Sequence, residues 1–178
     1  EVGTASAADY ADYLGAMPKK YFHRGSMDSV SQVSGATMAE TILVGRSACH
    51  GCVVACGRVI RLSDGEKRKG PEYETVVGLG PNLLIDDLEA ITRLMELSDR
   101  YGMDTISLGG ALGLAFHLYE LGVLTPGDTD GLELKWGDAM AVEQLIHKTA
   151  NRQGIGNLLA EGAREFAAYY GVDEEAVQ

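Results

Sequence analysis

The stretch DDLEAITRLMELSDRYGMDTISLGGALGLAFHLYELG, residues 86–122, decides the fold class. Asp86 and Glu89 have the spacing of a capping box, with the aspartate as the cap of a helix. Leu84, Leu88, Ile91, Met95 and Ser98 fall on one helical face, and Gly102 ends the helix. A second helix is expected from Thr105 to Leu121, closed by Gly122. Its Gly109, Gly110, Ala111, Gly113 and Ala115 leave room for another backbone to approach closely.

The helical pattern continues on both sides. Residues 6–17 read as a short helix stopped by Pro18. Residues 34–44 read as another, with Ser34 or Thr37 as N-cap. Asp138 caps a helix running through Arg152, with Ala139, Val142, Leu145, Ile146 and Thr149 facing inward. A last long helix begins at Gly156 and Asn157 and ends before Gly171, and residues 173–178 form one further turn. Residues 58–62 mix charge with β-branched side chains and predict a short strand. Ser63-Asp64-Gly65 is a turn, and residues 66–69 are a return strand or loop. The fold class is therefore mainly α: one multihelical domain over residues 1–178, with at most a small β-hairpin and no internal repeat.

Composition narrows the function classes. A hydrophobic share of 46% supports a packed core, and the 23 glycines punctuate apolar runs rather than form linkers. A formal charge of −11 repels a phosphate backbone, which excludes a nucleic-acid partner. No run of about 18 apolar residues exists, so no membrane span is expected, and no leader segment is visible. All three cysteines lie within positions 49–56. An odd, clustered set argues against a disulfide framework and for a metal site in a reducing, cytoplasmic compartment.

Cys49-x2-Cys52-x3-Cys56 is the main chemical signal. The two-residue spacing wraps a tight turn, and the three-residue spacing leaves the third thiolate one helical turn further on. Gly51 and Gly57 permit the close turns. A [4Fe-4S] cluster usually takes four protein ligands, so a fourth comes from elsewhere or one iron stays open. Zinc held by three cysteines and His50 or another histidine is the rival chemistry.

Beyond Cys56 the chain reads Gly70-Pro71-Glu72-Tyr73-Glu74-Thr75, then Leu79-Gly80-Pro81-Asn82 and Ile85-Asp86-Asp87-Leu88-Glu89-Ala90. Next comes Asp99-Arg100-Tyr101-Gly102-Met103-Asp104-Thr105-Ile106-Ser107, followed by Gly109-Gly110. Later stretches are Leu134-Lys135-Trp136-Gly137-Asp138 and Leu159-Ala160-Glu161-Gly162. This order and spacing resembles the aldehyde ferredoxin oxidoreductase family over nearly the whole chain, most tightly from Cys49 to Gly110.

The resemblance implies a tungsten- or molybdenum-bis-pterin enzyme that oxidises an aldehyde to a carboxylic acid and passes electrons through a [4Fe-4S] cluster to ferredoxin. The chain looks like the middle, helical domain of three, with the remaining domains in the same polypeptide. Cys49, Cys52 and Cys56 match three cluster ligands, the fourth lying in the third domain. Glu74 matches a carboxylate beside the metal, with the role of general base. Asp99, Gly102 and Asp104 match one of two pterin-binding motifs, since an ionised carboxylate accepts from pterin N–H groups. A subunit-bridging iron found in some members is not expected, because Arg93 and Glu96 stand at its motif. A homo-oligomer is compatible with the resemblance, and the isolated fragment is expected to be inactive. The other readings are an iron-sulfur electron-transfer module and a zinc-stabilised structural domain. Among the histidines, His23 has no motif support, His117 is expected to be a satisfied structural residue, and Glu143 and His147 form a solvated helix face.

Overall fold

The computed structural model describes residues 3–172. After a 3-10 turn at Gly3–Ser6, the elements are α1 (Ala7–Tyr13), α2 (Gly35–Thr41), β1 (Leu43–Ser47), β2 (Gly57–Arg61) and β3 (Lys67–Lys69). Then follow α3 (Tyr73–Leu79), α4 (Leu88–Tyr101), α5 (Thr105–Glu120), α6 (Ala139–Ala150), α7 (Ile155–Leu159) and α8 (Ala163–Tyr169). The mainly helical class is confirmed. The expected turn at residues 173–178 lies outside the described residues. Among the described residues, no helix is long and apolar enough to cross a membrane.

α5 is the central helix. Leu108, Ala111, Leu112, Leu114, Ala115, Phe116 and Leu118 are all buried, so apolar side chains cover most of its circumference, as a helix surrounded by others requires. α4 instead buries one stripe, Leu88, Ile91, Leu94, Met95 and Ser98, and turns Arg93 and Arg100 outward. α3 packs against α4 and α5, α4 against α6, α6 against α7, and α8 against α5. The expected close approach is at the contact of α3 and α5. A Cβ on Gly109 would stand 2.9 Å from the Gly78 carbonyl oxygen. Asn82 fixes the same crossing by donating to the Gly109 carbonyl at 2.9 Å.

The sheet is larger than a hairpin. β1 pairs with β2, and β2 with β3, all antiparallel. The helix expected to reach residue 44 stops at Thr41. Leu43 pairs with Ile60 instead, with a register break before Gly45. Two other expectations are corrected. The cap of α4 is Asp87, not Asp86: its carboxylate accepts from Glu89 N at 2.8 Å and Ala90 N at 3.3 Å. Glu89 does not close a capping box, because Ser63 and Arg93 hold its carboxylate at 2.6 Å each. The last long helix is two short ones, separated at Gly162, whose φ of 91° no helix accommodates. Ser34 and Asp138 cap α2 and α6 as expected.

Candidate active site and metal loop

The cysteine loop is the tip of the hairpin formed by β1 and β2. It is not helical, contrary to the expected helical turn between Cys52 and Cys56. Cys52 N donates to the Cys49 carbonyl at 3.0 Å, and Gly51 (φ 70°) and Ala55 (φ 48°) turn the chain. A side chain on Gly57 would strike Ser47, so glycine lets the strand leave the loop flush against β1. All three thiols are free, Cys49 and Cys52 exposed and Cys56 half-buried. Val53 is 97% exposed beside them, an apolar side chain left uncovered by the described residues. Among the described residues, no three His, Cys, Asp or Glu side chains are grouped to hold a metal ion. The loop thus carries three free thiols but, among the described residues, no closed ligand set, and no histidine joins them.

The loop is tied to the next motif by a buried arginine. Arg58 donates from Nη1 to the Cys56 carbonyl at 2.8 Å and pairs through Nη2 with Glu72 at 2.7 Å. Its side chain is fully buried. Gly70 makes room for it, since a Cβ there would stand 2.9 Å from Arg58 Cβ. Thr4 also donates to Glu72 and receives the Tyr73 N–H at 3.2 Å. Burial drives the Glu72 pKa upward, but the hydrogen bonds from Arg58 and Thr4 outweigh it and hold the carboxyl below its ordinary value. Glu72 is therefore the anchor and Glu74, two residues on, is left to face a cavity.

Glu74 sits in the first turn of α3 and is exposed. It lines a cavity of about 200 Å³ with Pro18, Tyr21, Phe22, Val77 and Ile106. Asp104 lines another, of about 290 Å³, with Tyr101, Met103, Ser107 and Leu108 from one side and Thr149, Leu159, Ala160 and Gly162 from the other. The first two turns of α5 form the wall between them: Ile106 and Gly110 face Glu74, while Ser107, Leu108 and Ala111 face the second cavity.

Asp104 is the N-cap of α5. Its Oδ2 accepts the Ser107 N–H at 2.7 Å, and that bond holds the carboxyl below the usual carboxylate range. The other two residues of the motif behave differently. Asp99 is exposed and faces Lys69 at 3.4 Å. Gly102 (φ 70°) closes α4 and turns the chain so that Asp104 reaches the cavity mouth.

Several residues here were not legible as functional. Tyr101, on the cavity rim, is held by His147: the hydroxyl and Nδ1 are 2.8 Å apart and the rings meet edge-on. The His147 face is thus a support for the cavity as well as a partner of Glu143 at 4.0 Å. His117 is not a satisfied structural histidine. Its ring stacks on His23 with centroids 3.9 Å apart, and among the described residues Nδ1 has no hydrogen-bond partner. Burial and the adjacent His23 ring push its pKa below the ordinary imidazole value. Arg93 and Glu96, at the place of the subunit-bridging iron motif, are both spent on ion pairs, Arg93 with Glu89 at 2.6 Å and Glu96 with Arg100 at 2.9 Å.

The sequence model of "Aldehyde ferredoxin oxidoreductase, domains 2 & 3" matches residues 1–178. The chain belongs to the aldehyde ferredoxin oxidoreductase family. It is 39% identical over 173 residues to the tungsten-containing aldehyde ferredoxin oxidoreductase of Pyrococcus furiosus, covering 97% of this chain and 29% of that protein. The corresponding protein of Thermococcus kodakarensis is 37% identical, with the same coverage. A Pyrococcus furiosus protein named as an aliphatic sulfonate oxidoreductase, WOR-like subunit, is 40% identical over 119 residues, 65% of this chain and 19% of that protein. The chain thus spans under a third of the length of these relatives. The BamBC active-site complex of benzoyl coenzyme A reductase shares the fold, with a TM-score of 0.68 and 24% identity over 85% of this chain and 22% of its own.

Proposed function

We propose that this chain is the helical middle domain of an aldehyde-oxidising, ferredoxin-reducing enzyme of the family, completed by further domains in the same polypeptide. The observation that carries the reading is the cavity at Asp104. It brings the Tyr101 to Asp104 end of one stretch to the turn at Leu159-Ala160-Glu161-Gly162, two of the stretches that carry the family pattern, at one mouth beside an ionised carboxylate. Such a mouth suits a group rich in N–H donors, as a pterin is.

A tungsten- or molybdenum-bis-pterin, when bound, supplies the two-electron oxidation of the carbonyl carbon. The chain's own residues have defined parts beside it. Asp104 would accept N–H groups of the pterin, and Gly102 sets the turn that aims it; the Asp99 carbonyl supports that turn by accepting the Gly102 N–H at 3.1 Å. Glu74 accepts a proton from water or from the hydrated aldehyde, with its carboxylate as the base. Cys49, Cys52 and Cys56 would supply three of the ligands of a [4Fe-4S] cluster once the loop draws them together, with a fourth from the remaining polypeptide. The exposure of Val53 and of the Cys49 and Cys52 thiols fits a loop that closes against those further domains. Three free thiols also fit a reducing cytoplasm.

The full-length polypeptide, purified without oxygen, is expected to reduce viologen dye only when an aldehyde is added, and to reduce ferredoxin in its place. An anaerobic preparation that carries cofactor but reduces neither acceptor with any aldehyde defeats the reading.

A further inference from the structure

We infer that the stacked rings of His23 and His117 are a latch, closed at neutral pH and released by acid, on the turn that carries Phe22 to the wall of the Glu74 cavity. The latch needs the cavity and not the aldehyde chemistry; only the turnover readout of its test rests on the aldehyde reading.

The turn is an unusual piece of backbone. Lys20, Tyr21 and Phe22 follow one another with φ of 51°, 49° and 61°. Three left-handed residues in a row, none of them glycine, persist only where their surroundings hold them. One end is held by backbone bonds and burial. Lys20 N donates to the Pro81 carbonyl at 3.0 Å and Tyr21 N to the Asn82 carbonyl at 2.9 Å. Tyr21 is buried against α5, where a Cβ on Gly113 would stand 2.6 Å from its ring. Past Tyr21 the holding changes. His23 N and Arg24 N bond back into the turn itself, to the Lys20 and Lys19 carbonyls at 3.0 and 3.1 Å. Phe22 is 52% exposed where it lines the cavity with Glu74 and Ile106. The tie from this end to the helices is ring on ring. His23 lies on His117 of α5, with centroids 3.9 Å apart and planes 16° from parallel.

Charge makes that contact conditional. Two neutral imidazoles stack, and so do a neutral and a charged one; two imidazolium rings at this separation repel. Among the described residues, Glu120 on α5 is the anion that favours a charged His117, and Lys20 holds that carboxylate at 2.6 Å while opposing the charge itself. Tyr21 faces both rings at centroid distances of 6.1 and 6.2 Å, and a tyrosine carries no charge in this pH range. Lys19 is committed to Asp12, and Lys135, next to Trp136, to Glu133. Arg24 adds a further cation directly after His23. Burial first, and then the His23 ring, hold the His117 pKa below the ordinary imidazole value of 6.5. The latched state therefore binds that proton less readily than the released one. The latch is at full strength above 6.5 and weakens as pH falls toward the lowered value.

The test follows amide hydrogen exchange of residues 20–24 in the full-length, cofactor-loaded enzyme at about pH 8 and about pH 5, with exchange times scaled for the chemical rate. The wild type should exchange these amides roughly tenfold faster at the lower pH after scaling, with the amides of α5 unchanged. His117→Phe and His23→Phe each keep a ring to stack and remove the proton, so each should hold the protection at both pH values. His23 is exposed, so its variant carries the test if His117→Phe fails to fold. With an aldehyde as substrate, release should raise KM on the acid side by a similar factor, and the variants should abolish that rise, whereas protonation of Glu74 acts on kcat. Equal protection of the wild-type turn at both pH values, a loss that spreads equally to α5, or a pH difference that survives in either folded variant overturns the inference. If the polypeptide oxidises no aldehyde, that reading fails alone, and the exchange data still decide the latch.

Discussion

Glu74→Gln in the full-length enzyme should lower kcat by about a hundredfold to ten-thousandfold while cofactor content stays at the wild-type level. Glutamine keeps the shape of the side chain and loses the basic oxygen. The structural cost is small, because Glu74 is exposed at the start of α3, where its charge is worth at most about 1 kcal/mol to the helix dipole. The anchoring of the motif lies with Glu72, which Arg58 and Thr4 hold. A loss of rate in this variant would therefore report on the proposed role of Glu74 as base rather than on stability. Steady-state rates with matched tungsten and iron contents make the comparison. A kcat within a few-fold of wild type would reduce Glu74 to a favourable charge at a helix start.

Arg58→Met should have the largest effect on stability, about 3 kcal/mol by urea unfolding. Breaking a buried ion pair from one side typically costs about 3–5 kcal/mol, and the lower end applies because Glu72 is 38% exposed and regains water. The Cys56 carbonyl also loses its donor. The pH dependence has a fixed sign. The folded-state pKa of Glu72 lies below its ordinary 4.5, so the pair contributes in full above that value and fades as pH falls toward the lowered one. Arg58→Met should flatten that part of the acid limb. The double variant Arg58→Met with Glu72→Leu should recover much of the loss, since it removes the uncompensated charge. Equal instability of the single and double variants would show that packing around Arg58, and not the ion pair, holds the cysteine loop to α3.

The sequence made legible what depends on neighbours along the chain. The amphipathic stripe of α4, the span of α5 and the caps Ser34 and Asp138 are local patterns, and all are in the structure. The glycines of α5 marked a close approach by some other backbone for the same reason, since small side chains are a local requirement of such a contact; that the partner is α3 came from the structure.

What escaped depends on partners far away in the chain. β1 exists because Leu43 finds Ile60, and a helical reading of residues 34–44 has no access to that pairing. Asp86 and Glu89 have the spacing of a capping box, yet Ser63 and Arg93 compete for Glu89 and Asp87 takes the cap. The candidate site divides the same way. Glu74, Asp104 and the cysteines were legible as motif positions. That Asp104 shares a cavity with Leu159 and Gly162, and Glu74 one with Phe22, follows from how α5 sits between distant segments. Asp99, equal to Asp104 in the motif, turns to Lys69 because it lies on the solvent side of α4.

The central claim, that the tip of the hairpin and the two cavities beside α5 serve one redox centre, is tested most directly by metal content. Elemental analysis should be made on full-length polypeptide purified without oxygen, as wild type and as Cys52→Ala. The wild type should carry tungsten or molybdenum and about four irons per polypeptide, and Cys52→Ala should lose cluster iron. Zinc in place of iron, or an iron content indifferent to Cys52, would contradict the account.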